Sequence, residues 1–426
     1  MKKWTTLCWM IAIQAFVMGQ EKYQSLFWKI EGHGTKKASY LYGTMHVSDR
    51  IAFHLSDEFY KGLMEVDKVA LESNPQTWMD VYNKEEKTQE NYLGGSIYNA
   101  FVIEPLKKSE MQSALMMDNR MVNGLLYRNQ KSEEDYEEDT YLDMFIYRSA
   151  QKYGRAVLSL EDAEEADRLT SKAVEKRSRQ EVIPQWLEEK LEEYGEYELL
   201  QNYYRDQNLD GIDSLNRFRY TEHYNKYMLY ERNRIMANSM DSIIQSGTTL
   251  FTGIGAAHLP GKDGVIDMLR QKGYKVTPIK GKLTETGKKI RKEIDEKFIA
   301  TPLKNQSTAD GFITLDLPDR LYESCYGDKY FAFSPDFANG GFITLVRLSR
   351  YDYLVKKEDR FSISDLDKVL FENIAGDILE RKDILINGYK ALDIKNKTKT
   401  GELQRYIIIE TPIEIIILKL AGDNQY

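Results

Sequence analysis

Short apolar runs alternate with stretches of helical spacing along the first two-thirds of the chain. Residues 26–30 and 39–42 read as two strands around a turn at Gly32-His33-Gly34, a hairpin within residues 22–46. Phe59, Leu63 and Val66 then share one helical face behind Ser56, a good N-cap. Residues 68–71 form a short apolar strand that ends in Glu72. The stretch 74–240 is charged and mostly helical in pattern, with an acidic run at 132–138 suited to a solvated loop or helix face. Within it, 141–153 is helical up to Gly154, 156–160 is a strand that ends in Glu161, and 186–204 is an amphipathic helix dense in Glu, Tyr and Leu. Residues 227–244 are helical too. A strand at 248–254 runs into Gly255-Ala256-Ala257-His258, followed by a helix over 264–272, a stop at Gly273 and a strand over 274–279. Strands alternating with helices predict an α/β domain over residues 22–282.

The pattern changes after that. Residues 288–297 are a charged helical run and 303–310 are polar and loop-like, which places a linker at 283–309. Strand-like pieces at 311–315, 329–333, 341–345 and 405–409, with a helix near 364–373, predict a smaller α+β domain over 310–426. Its final apolar strand, 413–420, stands close to the last residue, as in a chain cut from a longer protein.

Composition and charge narrow the function classes. The 426 residues are 42% hydrophobic and 30% charged, an ordinary globular balance that excludes wholesale disorder and a polytopic membrane protein. The net charge of −8 gives no general basic field for nucleic acid or anionic lipid. Two cysteines, Cys8 and Cys325, exclude a disulfide scaffold and a Cys-rich zinc site. Met1-Lys2-Lys3, an apolar run over 4–18 and a small residue at Gly19 have the layout of a secretory signal peptide over 1–19. Its removal takes away two lysines and no acids, so the mature chain carries −10, and Cys325 is left as the one thiol. No later segment approaches 18 consecutive apolar residues. The expectation is therefore an exported chain, periplasmic or secreted, without a transmembrane span.

The chemistry sits in two segments that share one plan: strand, Gly-x-x-His, helix, strand. The first is Gly43-Thr44-Met45-His46 and the second Gly255-Ala256-Ala257-His258. With 27 glycines in 426 residues, a given histidine has Gly three positions earlier about 6% of the time, so two among five is seldom accidental. Glycine allows a sharp exit from a strand, and histidine three residues later can point over the sheet edge. Paired units of this kind would set two imidazoles at strand C-termini, where α/β sheets bind ligands. Neutral imidazoles suit a divalent metal, and Glu72 and Glu161, both at strand ends, could add a hard ligand or a base. Those two glutamates equally suit helix capping. His33, His54 and His223 lack this context and read as surface or core residues. The 29 tyrosines read as core and helix packing, since an acidic chain is no platform for stacked bases.

Taken together and in order, these motifs resemble the TraB/GumN family, whose animal relatives include the Tiki proteases. The likeness covers roughly residues 24–282. It rests on Leu41-Tyr42-Gly43-Thr44-Met45-His46-Val47, on Gly253-Ile254-Gly255-Ala256-Ala257-His258-Leu259-Pro260-Gly261, and on Gly264-Val265-Ile266 and Gly273-Tyr274-Lys275-Val276. Leu142-Asp143, Leu160-Glu161 and Glu231-Arg232-Asn233 between them also match. The resemblance implies an α/β fold of duplicated strand–Gly-x-x-His–helix–strand units around a mixed sheet, with a large helical insertion. It further implies a metal held by His46, His258 and Glu72, with Glu72 or Glu161 as base and Arg232 steadying negative charge. Asn233 and Tyr42 would stand on the substrate side, and Gly43 and Gly255 are the motif glycines.

Two readings follow. One is an exported metal-dependent hydrolase, with peptide or protein as substrate and Mn, Co or Zn as the metal. The other is a binding protein on the same scaffold that captures haem, iron or a peptide without turnover. A lesser variant gives the 310–426 domain the function, through partner binding. Substrate, metal and oligomeric state stay open at this level.

Overall fold

In the computed structural model the described residues are 23–33, 35–77, 105–116, 138, 140–326, 329–351, 354–357, 360–399 and 401–422. The expected signal segment 1–19, Cys8 and nearly all of the acidic run 132–138 lie outside them. The chain divides into two compact units. The first draws its described residues from Met1–Ser73 and Arg155–Lys292, the second from Asn74–Gly154 and Glu293–Tyr426.

The first unit is a mixed α/β layer structure. Strands β1 (Phe27–Glu31), β2 (Ser39–Thr44), β3 (Lys68–Leu71), β4 (Ala156–Ser159), β5 (Leu250–Gly255) and β6 (Lys275–Ile279) form one sheet in the order β4-β3-β5-β2-β1-β6. β2, β3, β4 and β5 are mutually parallel, so their carboxyl ends share one edge. β1 runs antiparallel to both β2 and β6. The expected hairpin is β1–β2, with Phe27 opposite Tyr42.

Helix α1 (Asp57–Glu65) starts where Ser56 accepts from the Phe59 N–H, and its first turn carries Asp57 and Glu58, which suit the positive helix end. It covers the sheet face made by Phe27, Tyr40, Tyr42 and Phe251. Phe59 meets Tyr42 edge-on at 4.8 Å and Phe251 at 5.1 Å. Gly62 lies flat on Phe27 and Tyr40, where a Cβ would come within 3.2 Å of the Phe27 ring. Trp28, one residue on and therefore on the opposite face, lies under Arg270.

Further helices of this unit are α2 (Ala163–Val174), α3 (Gln185–Arg205), α4 (Leu209–Arg219), α5 (Glu231–Gln245) and α6 (Val265–Gln271), with a short helix at Glu222–Asn225 before α5. Asp162 caps α2 by accepting from the N–H groups of Glu164 and Glu165. The expected long helix α3 is broken at Gly195, whose φ of 74° only glycine adopts cheaply. α5 is preceded by a π-helical turn, Lys226–Tyr230, which the 3.6-residue pattern does not announce.

The second unit is antiparallel. β9 (Tyr322–Tyr326), β10 (Lys329–Asp336), β11 (Gly341–Ser349), β12 (Asp377–Ile386), β13 (Tyr389–Lys397), β14 (Leu403–Glu410) and β15 (Glu414–Gly422) form a sheet in the order β12-β13-β14-β15-β11-β10-β9. A separate hairpin joins β7 (Lys304–Ser307) to β8 (Thr314–Leu317). Residues 303–310, expected as loop, thus contain a strand, and the strand expected at 311–315 begins only at Thr314. Polar residues hid β7 because its side chains are mostly exposed. The expected helix over 141–153 is Leu142–Lys152, closed at Gly154 with φ 67°. It belongs to this second unit, where Tyr147 meets Phe337 edge-on and Lys152 donates to the Ile294 carbonyl. Among the described residues this unit also holds the helices Lys108–Met116 and Asp367–Asn373, with Lys108 and Gln112 both reaching Glu372.

Candidate functional site

Four parallel strands deliver their chemistry to one edge. Glu72 follows β3, Glu161 follows β4, Gly255 ends β5, and His46 stands two residues beyond β2. The ladder continues past the strands: the Leu160 N–H donates to the Leu71 carbonyl and the Glu161 N–H to the Glu72 carbonyl. The two glutamates are therefore neighbours by construction. The Gly43–Ile254 and Thr44–Gly255 pairs bring the two Gly-x-x-His turns side by side.

A side chain in either turn would be tight. A Cβ on Gly43 would fall 3.1 Å from Ala256 Cα and 3.2 Å from Leu259 Cδ2. A Cβ on Gly255 would fall 3.2 Å from Glu72 Oε1, 3.4 Å from His46 Nε2 and 3.4 Å from His258 Cδ2. Gly255 thus faces the small space on which two imidazoles and one carboxylate converge. His46 Nε2 lies 3.8 Å from Glu72 Oε1, and His258 Nε2 lies 3.7 Å from the same oxygen. The His258 side chain is 7% exposed and that of His46 52%, so one ring forms the floor and the other the mouth.

Glu72 is held at both oxygens. Its Oε1 accepts the Gly255 N–H at 2.7 Å and its Oε2 accepts Arg232 Nη2 at 2.7 Å. Burial opposes its charge, but His258, His46, Arg232 and the Gly255 N–H outweigh that and bring its pKa down to about 2. His258 is pushed the other way. Burial lowers it to about 4 despite the attraction of Glu72, so it is neutral at physiological pH.

Arg232 is shared between two carboxylates. Its Nε lies 3.1 Å from each Glu161 oxygen, and its Nη2 donates to both Glu161 and Glu72. Burial works against its charge, and the paired carboxylates more than offset that, so its pKa lies above the usual guanidinium value. Burial raises Glu161 against the pull of Arg232. Asn233, next along α5, turns to the other imidazole: its Oδ1 is 2.6 Å from His258 Nδ1 and its Nδ2 donates to the Asp263 carbonyl at 2.7 Å. α5 is fixed over this edge by Ser239, whose hydroxyl donates to the Leu160 carbonyl.

The sequence-predicted residues His46, His258, Glu72, Glu161, Arg232, Asn233 and Gly255 meet at this edge. Gly43 supports it from behind. Tyr42 does not join them: it is buried in the aromatic layer under α1, and burial raises its phenol. Neighbouring Tyr204 serves the site instead, its hydroxyl donating to the Gly43 carbonyl at 3.0 Å. Tyr204, Ser239 and the π-turn carry no signal in the sequence, since each depends on which distant carbonyl or helix they meet. Among the described residues, no group of three or more His, Cys, Asp or Glu side chains is gathered closely enough to hold a metal ion. The nitrogen-to-oxygen gaps of 3.7 and 3.8 Å exceed the ~3.3 Å edge of a tetrahedral shell with bonds near 2.0 Å. No helix among the described residues is long and apolar enough to cross a membrane.

Comparison with known proteins points the same way as the motifs. No curated protein matches the chain. Among solved structures, a protein of unknown function from Pseudomonas aeruginosa, PA94, is 14% identical over 28% of this chain and 82% of that one. Its TM-score of 0.16 carries no argument about fold or function. The model of the TraB/PrgY/gumN family matches residues 26–278, more than half of the chain and every residue of the carboxyl-edge cluster. The chain belongs to the TraB/PrgY/gumN family.

Proposed function

We propose that this protein is a divalent-metal-dependent hydrolase acting on peptides, with His46, His258 and Glu72 as the metal-holding residues. The observation that carries the reading is the convergence of two histidine Nε2 atoms on one Glu72 oxygen, around a space into which a Cβ at position 255 would press. The donor chemistry suits a divalent ion: a neutral buried imidazole, a half-exposed one and a carboxylate ionised at any physiological pH. Closing the set to the ~3.3 Å edge takes about half an ångström at each gap, from the exposed His46 side chain and from a matching adjustment between His258 and Glu72. Such an ion supplies an activated water and polarises a carbonyl.

The chain's own groups then divide the work. Glu72 is too weak a base to take up a proton, so we read it as an anionic ligand. Glu161 has both oxygens on Arg232 and is buried, so we read it as the anchor of Arg232 and not as the base. Arg232 holds the two carboxylates at fixed places and keeps Glu72 charged.

Two further parts belong to this reading. The parallel, adjacent β2 and β5 support descent of the two Gly-x-x-His units from one duplicated unit; failure of residues 39–71 to superpose on 250–279 would refute it. The layout of residues 1–19 supports export, which N-terminal sequencing of the mature protein checks.

The test is a peptide-library cleavage assay on natively purified protein, before and after chelator and with Mn, Co or Zn restored. Loss on chelation, recovery with one metal and loss in His46→Ala and His258→Ala are expected. Cleavage that persists in the double histidine variant would remove the proposal. Metal or haem capture with no cleavage of any peptide would favour the binding-protein reading.

A further inference from the structure

We propose that Asn233 is a positioning residue that fixes the tautomer of His258, leaving a lone pair on the Nε2 atom that faces Glu72. The two ends of the Asn233 amide are not interchangeable. Its Nδ2 lies 2.7 Å from the backbone oxygen of Asp263, an atom that can only accept, so the NH2 end belongs there. That turns Oδ1 onto His258 Nδ1 at 2.6 Å, and an amide oxygen also only accepts. The proton must therefore sit on Nδ1, and Nε2 carries the lone pair. Asn233 and His258 are 2% and 5% exposed, so solvent does not compete for this contact.

The consequence is an electrostatic mismatch that a bound cation, or a water donating to both atoms, resolves. Nε2 faces Glu72 Oε1 at 3.7 Å, and in this tautomer both atoms are acceptors. Without Asn233 the ring would prefer the other tautomer, because an Nε2–H could donate to the Glu72 carboxylate. Asn233 therefore holds the floor of the site in the form that accepts a cation and prevents its closure by an internal hydrogen bond. A backbone oxygen as the far anchor makes the orientation independent of any other side chain.

The experiment is a two-bond nitrogen–proton NMR correlation on metal-free, histidine-labelled protein at neutral pH, with His258 assigned by its loss in His258→Gln. The wild type should show Nδ1 protonated and Nε2 bare. Asn233→Leu should invert that pattern, whereas Asn233→Asp, which keeps an acceptor, should retain it. A protonated Nε2 in the wild type, or an unchanged pattern in Asn233→Leu, would overturn the proposal. The wild-type spectrum alone decides if the leucine variant fails to fold. A second readout rests on the proposed function: zinc affinity by calorimetry should fall 10–100-fold in Asn233→Leu, the usual effect of losing a ligand's hydrogen-bond partner. The predicted tautomers with no zinc binding in any variant would remove the metal reading and leave the Asn233 assignment standing.

Discussion

The two sheets use ionisable residues in opposite ways. In the parallel sheet of the first unit, Glu72, Glu161, Arg232, His46 and His258 are gathered at one edge, and most are buried. In the antiparallel sheet, ion pairs are spread along the strands. Glu380 faces Lys395 directly across β12 and β13, Arg405 reaches Asp393, and Arg347 reaches Glu414. Parallel strands bring their carboxyl ends to one place, so loops from distant parts of the chain can converge there. Antiparallel neighbours alternate direction, and their charges mainly fix register and cover the exposed face. The same residue types make a site where parallel strands bring distant loops to one edge, and separate ion pairs where neighbouring strands alternate direction, some of them as buried as Arg232 and Glu72.

That contrast can be broken by mutation. Arg232→Leu leaves two carboxylates uncompensated, one of them nearly sealed from solvent. It should cost about 3–5 kcal/mol in chemical denaturation, the usual effect of removing one partner of a buried ion pair. A loss below about 1 kcal/mol would mean that the cluster is wetter than described.

Acid should come next. In the folded chain His258 takes up its proton only near pH 4, whereas an unfolded histidine does so near 6.5. Below pH 6.5 the unfolded state therefore gains protons that the folded state refuses. Stability falls from there to about pH 4, by roughly 3 kcal/mol at one pKa unit per 1.4 kcal/mol. Glu72 adds a second window: its stabilisation, present above pH 4.5, is lost as pH falls toward 2. Denaturation midpoints at pH 7.5 and 5 should differ in the wild type and converge in His258→Gln; equal midpoints in the wild type would refute the buried neutral imidazole.

Gly43→Ala tests the close approach of the two turns. The new Cβ meets backbone at Ala256, which cannot give easily, so about 1–3 kcal/mol of destabilisation is expected by thermal denaturation. A neutral result would mean that β2 and β5 stand further apart. The smallest effect is expected in the other sheet. Lys395→Ala removes a half-exposed partner of Glu380 and should change stability by less than about 1 kcal/mol. A loss as large as that of Arg232→Leu would erase the distinction between the sheets.

Legibility in the sequence follows the same division. The strands and turns around His46 and His258 were readable because buried parallel strands are continuous apolar runs and the Gly-x-x-His spacing is local. Glu72 and Glu161 were readable as strand-terminal carboxylates. Their partners were not: Arg232 and Asn233 stood out through the family resemblance alone, because a π-turn and the packing of α5 decide which way each points. Tyr42 was misplaced because a motif position does not say which face of a strand its side chain takes. In the second unit β9, β12 and β13 have no counterpart among the expected strands; in β12 most side chains are exposed and the charges hide the alternation. The grouping of residues 74–154 with the C-terminal residues has no local marker at all, being set by contacts such as Tyr147 with Phe337.

As proposed, His46, His258 and Glu72 would act as one cation site. Calorimetric titration of chelator-treated protein with Zn, Mn and Co, in the wild type and in His46→Ala, His258→Ala, Glu72→Ala and the triple variant, tests it most directly. One ion per chain is expected, with losses in the single variants that do not add up in the triple. No saturable binding in the wild type, or binding that survives all three substitutions, would contradict it.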